Sequence, residues 1–172
     1  KSEVDMPQGI DIHTPEVYNK AKENLQKFQE DGILFQEEKP CYYIYTLVMK
    51  GHEQTGLVCL SSVEDYFNNV IKKHEFTRPE KEKDRIDHMT TIEAQTGKVF
   101  LAYNNVEEID SIINGWKTTH LSEYDFSAAD GVQHTVWVIN DEEIIEKIKE
   151  LRSQSTTLPH LPKKILNSEL RA

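Results

Sequence analysis

The chain has 172 residues, of which 37% are hydrophobic and 29% are charged, and it carries a formal net charge of −10 at pH 7, a composition typical of one globular domain. The negative charge argues against a general nucleic-acid or anionic-membrane binder, because both need a broad positive field. The sequence contains neither an apolar run near the roughly 18 residues that cross a bilayer nor a secretory signal, so we expect a cytoplasmic protein without a membrane partner.

The N-terminal part of the sequence predicts a long helix. Thr14 and Pro15 form a helix start, with Thr14 as the N-cap and Pro15 in the first turn. The helix is expected to run to about Asp31, because Gly32 can take the left-handed conformation that often ends a helix. Four apolar side chains at helical spacing make one core-facing stripe, namely Val17, Ala21, Leu25 and Phe28.

A β-hairpin is predicted next. Residues 41–49 and 55–61 are both rich in aromatic and β-branched residues, and a short polar connection joins them. Two such runs in close succession are typical of an antiparallel hairpin. Ser61 or Ser62 is then expected to cap a short helix over residues 63–67.

A second long helix is predicted after Thr77. Thr77 and Glu80 have the spacing of a capping box, and Pro79 lies in the first turn, where its missing N–H costs little. The helix is expected to pack through a thin apolar seam, formed by Ile86, Met89 and Ile92.

The C-terminal half alternates strands and helices. Residues 98–103 predict a buried strand, and Asn105 is expected to cap the helix that follows it. Residues 123–127 and 132–139 predict two strands around a turn, and Asn140 is expected to cap a final helix.

The order of these elements predicts an α+β fold, with a mixed or mainly antiparallel sheet and helices packed on it, because regular βαβ alternation is missing. We expect residues 1–152 to form a single α+β domain. Residues 153–172 contain two prolines and no sustained period, so they predict a C-terminal tail or strap.

Charge is concentrated in residues 72–88, where thirteen of the seventeen residues can be charged. Six Lys and Arg side chains against five Asp and Glu side chains give this segment +1, so the rest of the chain carries −11. On a helix, Lys81, Arg85 and His88 lie at i, i+4 and i+7 and are expected to share a face. Two lysines precede the helix N-terminus, where free N–H groups attract anions.

Two interpretations of this charged segment stay open. A helix with mixed charges is often a solvated face held by weak i, i+4 pairs. Alternatively, the cations converge on a phosphate or carboxylate, because arginine offers a bidentate fork and lysine a point charge. In that case His74 and Glu75 are the candidate catalytic residues. The candidate anion- or nucleotide-binding residues are Lys72, Lys73, Thr77, Arg78, Lys81, Arg85 and His88.

No metal site is predicted. The sequence has no CxxC pair, no Cys/His cluster at zinc spacing and no HExxH. Cys41 and Cys59 fall in apolar, strand-like segments, and two reduced, buried thiols are expected rather than a disulfide.

Four blocks of the sequence carry a resemblance to a known family. In chain order they contain PEVYNKAKENL, SSVEDYFNNVIKKHEFTRPEKEKDRIDH, QTGKVFLAY and YDFSAADGVQHTVWVINDEEIIEKI. They resemble the uncharacterised family catalogued as domain of unknown function 1015, whose members are cytoplasmic proteins of bacteria and archaea and are similar to the partition-protein-B/sulfiredoxin-like superfamily. The resemblance implies ATP or ADP with Mg²⁺ as the ligand, and phosphoryl transfer as the reaction. It places Arg78, Lys73 and Arg85 on the phosphates, and Glu75 as a base or metal ligand.

The chain departs from the family pattern near its end. Family members usually continue after the final helix into a strand bearing Asp-Gly-His-His-Arg, where this chain has residues 156–164 and a few more. We therefore expect a truncated member that is catalytically weak or incompetent, while intact relatives act as kinase-like phosphotransferases. The alternative function is a non-enzymatic interaction module that self-associates into a homo-oligomer. Nucleic-acid binding, by analogy with partition proteins, is opposed by the net charge.

Overall fold

The computed structural model describes residues 6–7, 9–72, 78–155 and 163–165. Its elements in chain order are α1 (Pro15–Glu30), β1 (Tyr42–Met49), β2 (His52–Val58), α2 (Val63–Phe67), α3 (Pro79–Ile92), β3 (Ala102–Asn104), α4 (Glu107–Thr119), β4 (Tyr124–Ser127), β5 (Gln133–Ile139), α5 (Glu142–Ser155) and β6 (Lys163–Ile165). The described residues divide into two units: unit 1 contains α1 and α3, and unit 2 contains the other helices and the strands. None of the helices in the described ranges is long and apolar enough to cross a membrane.

Unit 1 is a pair of helices packed against each other. Helix α1 begins after Thr14, with Pro15 in its first turn, and ends before Gly32, whose φ of 69° lies in the left-handed region. The predicted start and end of this helix are therefore confirmed, because both signals are local. Val17 and Tyr18 are its buried residues.

Helix α3 begins one residue later than predicted. Its N-cap is Arg78, whose side chain makes no capping hydrogen bond, and Pro79 is the first helical residue. The predicted cap, Thr77, lies outside the described residues.

The face that α3 turns toward α1 differs from the predicted apolar seam. His88 and Ile92 are buried, whereas Ile86 is 50% exposed and Met89 is 37% exposed. The prediction was wrong for Ile86 and Met89 because the residues of α3 that contact α1 are partly polar. They include Asp84, which lies one helical turn before His88.

Unit 2 is built on a four-stranded antiparallel sheet in the order β2-β1-β5-β4, which confirms the predicted α+β class and both strand pairs. β1 is central, so Ile44 pairs with Leu57 on β2 and with Trp137 on β5. One face of the sheet packs against α4 and α5. The core formed there contains Ile44, Leu57, Ile109, Ile113, Trp116, Ile139, Ile145 and Ile148.

The predicted buried strand at residues 98–103 is wrong. Only the three-residue β3 forms, and it pairs with β6 in a separate two-stranded sheet. Val99 is 66% exposed and Phe100 is 42% exposed. The apolar run was misleading because β3 does not join the four-stranded sheet, whose neighbouring strands and helices would cover such side chains.

The caps of α2 and α4 were predicted with different success. Ser62 caps α2, since its Oγ accepts a hydrogen bond of 3.1 Å from the backbone N–H of Glu64. The N-cap of α4 is Val106 rather than the predicted Asn105. Valine has no side-chain acceptor, so the sequence signal at Asn105 was one residue early.

Helix α5 is capped by Asp141, not by the predicted Asn140. The Asp141 Oδ1 accepts hydrogen bonds from the backbone N–H groups of Glu143 and Ile144, at 2.9 and 3.1 Å. The predicted domain boundary at residue 152 falls within α5, which continues to Ser155.

Candidate functional site

A concavity of about 360 Å³ lies in unit 1, beside the first turns of α3. Five of its lining residues carry charge at neutral pH, and the other two are an imidazole and a phenol. The lining residues are Glu80, Lys81, Lys83, Asp84, Asp87, His13 and Tyr18.

The carboxylate of Asp84 is the centre of the hydrogen bonds in this concavity. Its Oδ1 accepts a bond of 2.6 Å from the Tyr18 hydroxyl and lies 2.6 Å from Nδ1 of His13. The side chain of Asp84 is only 15% exposed, whereas that of His13 is 42% exposed. Asp84 therefore links a buried phenol to an imidazole that solvent reaches.

The donors and acceptors of this cluster follow from its chemistry. An ionised carboxylate only accepts hydrogen bonds, so Nδ1 of His13 carries the proton that it shares with Asp84. Burial of Tyr18 and its hydrogen bond to Asp84 raise the pKa of the phenol to about 12. Tyr18 therefore stays protonated, and it donates to Asp84 at every pH at which proteins normally work.

The two lysines of the lining differ in their ion pairs among the described residues. Lys83 forms an i, i+4 ion pair with Asp87. Within the described residues, the ammonium group of Lys81 makes no hydrogen bond or ion pair, and this residue lines the concavity. Three carboxylates face two lysines, so the lining carries a net charge of −1 when His13 is neutral.

The other predicted cations lie outside the lining of the concavity. Arg78 is exposed at the start of α3, and its Nε lies 4.0 Å from Oε1 of Glu80. Arg85 is exposed one turn after Lys81, and its Nη1 approaches the backbone at Gly97. Lys72 is also exposed.

His88 is buried, with 5% of the residue exposed. Its ring lies 5.7 Å from the ring of Tyr18, at an interplanar angle of 60°. Lys81, Arg85 and His88 therefore do not share one accessible face as the helical spacing predicted. The reason is that α1 covers the face on which His88 lies.

Four of the predicted site residues cannot be compared with the geometry of the concavity. Lys73, His74, Glu75 and Thr77 lie outside the described residues, so their assignment as catalytic or anion-binding residues stays a prediction.

Sequence reasoning missed His13 and Tyr18 as site residues. Their partner, Asp84, is 71 and 66 positions away along the chain, and no local pattern indicates such a pairing. One weak signal existed. His13 lies in the segment directly before the helix start at Thr14 and Pro15, and binding residues are disproportionately found in such connecting segments.

A metal centre has no support in the described ranges. No group of three or more His, Cys, Asp or Glu side chains there could hold a metal ion. Cys41 and Cys59 are free thiols of intermediate burial.

A family model described as "Protein of unknown function (DUF1015)" matches residues 1–158 of the chain. No curated protein and no solved structure matches it significantly.

Proposed function

The chain belongs to the DUF1015 family of proteins of unknown function, and we propose that it binds a nucleotide or another small phosphorylated molecule in the concavity of unit 1. The observation that carries this proposal is Lys81, an ammonium group without a partner in the described ranges, which lines the same concavity as His13. An ammonium group of this kind is suited to phosphate oxygens, because it can donate charge-assisted hydrogen bonds to them.

The size of the concavity limits the ligand. A volume of about 360 Å³ is at the low end of ligand pockets, which hold about 300–1,000 Å³. It is suited to a phosphate group with its neighbouring atoms, while a larger part such as a nucleobase would extend beyond it. Arg78 and Arg85, both exposed on α3, are the nearest candidates along the helix for further contacts with phosphates.

Mg²⁺ would fit here only as part of a nucleotide complex. In proteins Mg²⁺ is usually held by one or two carboxylates together with substrate phosphates and water. Glu80 and Asp87 are the other two carboxylates of the lining besides Asp84. They could complete the coordination of a Mg²⁺ ion that the nucleotide carries, and the ion would supply charge neutralisation for the phosphates.

Thermal-shift titration of the full chain with Mg-ATP, Mg-ADP and pyrophosphate tests this proposal. Wild type and the control Lys27→Ala, which removes an exposed lysine of α1, are expected to show a saturable rise in Tm. Lys81→Ala is expected to need roughly tenfold more ligand for the same rise in Tm, because the variant loses one charge-assisted contact with the ligand. A wild type that no probe stabilises, or a Lys81→Ala that responds like wild type, would contradict the proposal.

A second candidate function, self-association, is favoured by strand β4. It is an edge strand of the four-stranded sheet, all four of its residues are exposed, and Tyr124 and Phe126 are aromatic. Exposed apolar edge strands are templates for pairing with another chain. The occupant that we propose is β4 of a second copy, because an antiparallel pair of identical edges gives a closed two-fold dimer.

Light scattering during size-exclusion chromatography, over a range of protein concentrations, tests this second candidate. Tyr124→Lys is expected to abolish a concentration-dependent dimer, since edge lysines oppose strand pairing. The matched control is Val63→Lys, which places the same charge on another exposed apolar residue, in α2. A monomer at all concentrations, or a dimer that only Val63→Lys disrupts, would exclude pairing through β4.

A further inference from the structure

The outer edge of β4 offers a defined set of backbone groups to another chain. Within the described residues, β4 pairs only with β5. In an antiparallel ladder every second residue pair exchanges backbone hydrogen bonds. The N–H of Ala128, directly after the strand, donates to the carbonyl of Val132 at 2.8 Å, and the pairs of β4 with β5 continue this register. The backbone of Phe126 therefore bonds to β5, whereas the N–H and C=O groups of Asp125 and Ser127 point to the outer edge.

A bulge and a turn limit this edge on its two sides. Tyr124 pairs with Val136, but the backbone N–H of Glu123 donates to the carbonyl of the same Val136, at 2.8 Å. Two residues of one strand that face one residue of its neighbour form a β-bulge, which interrupts the ladder. On the other side, the N–H of Gly131 donates to the carbonyl of Ala128 at 2.9 Å and closes a turn. The regular edge therefore extends only over β4 itself.

The ring of Phe126 is held in a fixed orientation at this edge. It stacks on the ring of His134 on β5, with the ring centres 5.0 Å apart and an interplanar angle of 10°. Nδ1 of His134 in turn lies 2.6 Å from the hydroxyl of Tyr45, a buried residue of β1. Phe126 is nevertheless 50% exposed. Another chain can therefore cover this ring at a small cost in conformational entropy.

We propose that two copies of the chain pair through β4 in one register, in which Phe126 of one copy lies opposite Phe126 of the other, at the two-fold axis. Asp125 of each copy then lies opposite Ser127 of the other copy, and Tyr124 lies opposite Ala128. This inference rests on self-association through β4, the second candidate function, and deepens it by naming the residues that meet.

The symmetry of the pair and the hydrogen-bonding groups of the edge favour this register. A two-fold axis between identical antiparallel strands makes one residue face its own copy. With Phe126 at the axis, Asp125 and Ser127 form two pairs between the copies, and each pair exchanges two backbone hydrogen bonds. The hydroxyl of Ser127 can also donate to the carboxylate of Asp125. The two Phe126 residues then form a pair without backbone hydrogen bonds, the kind in which opposite side chains lie closest.

The other registers are less favourable. With Asp125 at the axis, two carboxylates would lie directly opposite each other, which is destabilising. The carboxylate of Asp125 is held in place, because its Oδ1 accepts hydrogen bonds from Nε2 of Gln133 at 3.1 Å and from Oγ1 of Thr135 at 3.3 Å. With Tyr124 or Ser127 at the axis, the bulge or the turn would enter the ladder, and backbone hydrogen bonds between the copies would be lost.

Disulfide cross-linking of the full chain tests the register, in a Cys41→Ala/Cys59→Ala background that removes the free thiols. Under oxidation by air, Phe126→Cys is expected to form a linked dimer at least roughly tenfold faster than the control Val63→Cys in α2, because paired thiols have an effective concentration in the millimolar range. Asp125→Cys is expected to react as slowly as the control. In the proposed register the two Asp125 Cα atoms are roughly 8 Å apart, beyond the about 7 Å that a disulfide spans.

A double variant that keeps Phe126 provides a second test, since Phe126→Cys removes the aromatic pair. Tyr124→Cys and Ala128→Cys are combined in the same background. These positions lie opposite each other between the copies but about 13 Å apart along one extended strand, so a disulfide within one chain is excluded. The double variant is expected to form linked dimers at least roughly tenfold faster than either single substitution.

The results separate this inference from self-association itself, which light scattering of the wild type measures. Fastest cross-linking at Asp125→Cys, or a double variant that reacts no faster than its single substitutions, overturns the register and leaves a wild-type dimer in place. A wild type that is monomeric at all concentrations shows that the second candidate function and this inference are both wrong. Circular dichroism of each variant shows whether the fold is retained.

Discussion

The hydroxyl of Tyr18 on α1 donates a hydrogen bond of 2.6 Å to Oδ1 of Asp84 on α3, 66 positions away in the sequence. Tyr18 is 5% exposed, so this bond joins the two helices of unit 1 where little water competes. A phenol that donates to a carboxylate forms a charge-assisted bond, which is shorter and stronger than a neutral one. The bond therefore serves the stability of unit 1 as well as the position of His13.

Replacing this phenol tests its contribution to stability. Tyr18→Phe keeps the ring and is expected to lower the free energy of unfolding by about 1.5–3 kcal/mol, the range for hydrogen bonds to charged groups. Urea unfolding followed by circular dichroism measures the change. The matched control is Tyr124→Phe, which removes an exposed phenol and should change stability by less than about 0.5 kcal/mol. Equal effects of the two substitutions would show that the Tyr18–Asp84 bond contributes little.

The raised pKa of Tyr18 predicts how stability changes at high pH. The unfolded chain releases the phenolic proton near the ordinary value of 10.0, whereas in the folded chain the pKa is about 12. The unfolded state thus loses its proton first, so the contribution of Tyr18 is complete below about pH 10 and is lost as the pH rises toward 12.

Unfolding by urea at pH 9, 10 and 11 measures this decline. Tyr18→Phe is expected to decline less steeply than wild type over this range, because one fewer group with a shifted pKa takes part. Some decline remains in the variant, since burial and the nearby Glu37 also raise the pKa of Tyr43 to about 12. Parallel curves for the two proteins would contradict the assignment to Tyr18.

Local signals in the sequence predicted much of the fold. Thr14 with Pro15, and Gly32, marked the ends of α1 because caps depend on a few neighbouring residues. The antiparallel strand pairs were also predictable, since short turns join runs of aromatic and β-branched residues. The caps of α4 and α5 were each predicted one residue early, at Asn105 and Asn140, because sequence signals place a helix end only to within about one or two residues.

Features that depend on distant parts of the chain were not predictable in the same way. Ile86 and Met89 looked like a packing seam, but the face that meets α1 contains Asp84 and His88. A polar interface gives no hydrophobic period, so the pattern favoured the wrong face. The contact of His13 with Asp84 spans 71 positions, and it becomes visible only once the two helices are packed.

The cap of α5 provides a direct comparison of two neighbouring residues. Asp141 accepts hydrogen bonds from the backbone N–H groups of Glu143 and Ile144. Asp141→Ala is expected to lower the free energy of unfolding by about 1 kcal/mol, the usual cost of a lost N-cap. Asn140→Ala, the control, should change it by less than about 0.5 kcal/mol. Urea unfolding measures both, and the reverse order would restore Asn140 as the cap.

The ion pair between Lys117 and Glu53 predicts a stability change in acid. Nζ of Lys117 donates to Oε1 of Glu53 at 2.8 Å and to Oγ1 of Thr55 at 3.2 Å, and it lies 5.3 Å from the centre of the Trp137 ring. The side chain of Lys117 is 17% exposed. The hydrogen bond from Lys117 lowers the pKa of Glu53 below its ordinary value of 4.5.

A carboxyl group whose pKa is lower in the folded than in the unfolded chain stabilises the fold above its ordinary pKa. This contribution is lost as the pH falls through the pKa of the folded chain. Lys117→Met keeps the alkyl chain over Trp137 and removes the charge. Because Glu53 is 57% exposed, the variant is expected to be less stable by only about 0.2–1 kcal/mol at pH 7. This difference should shrink as the pH falls below about 4.5, because protonated Glu53 no longer gains from the ammonium group.

Urea unfolding at pH 7, 5 and 3 measures the difference, with Lys20→Met, which breaks the exposed Lys20–Glu23 pair, as the control. A difference that stays constant from pH 7 to pH 3 would assign the effect to the contacts of the ammonium group with Trp137 and Thr55 instead of to the ion pair with Glu53.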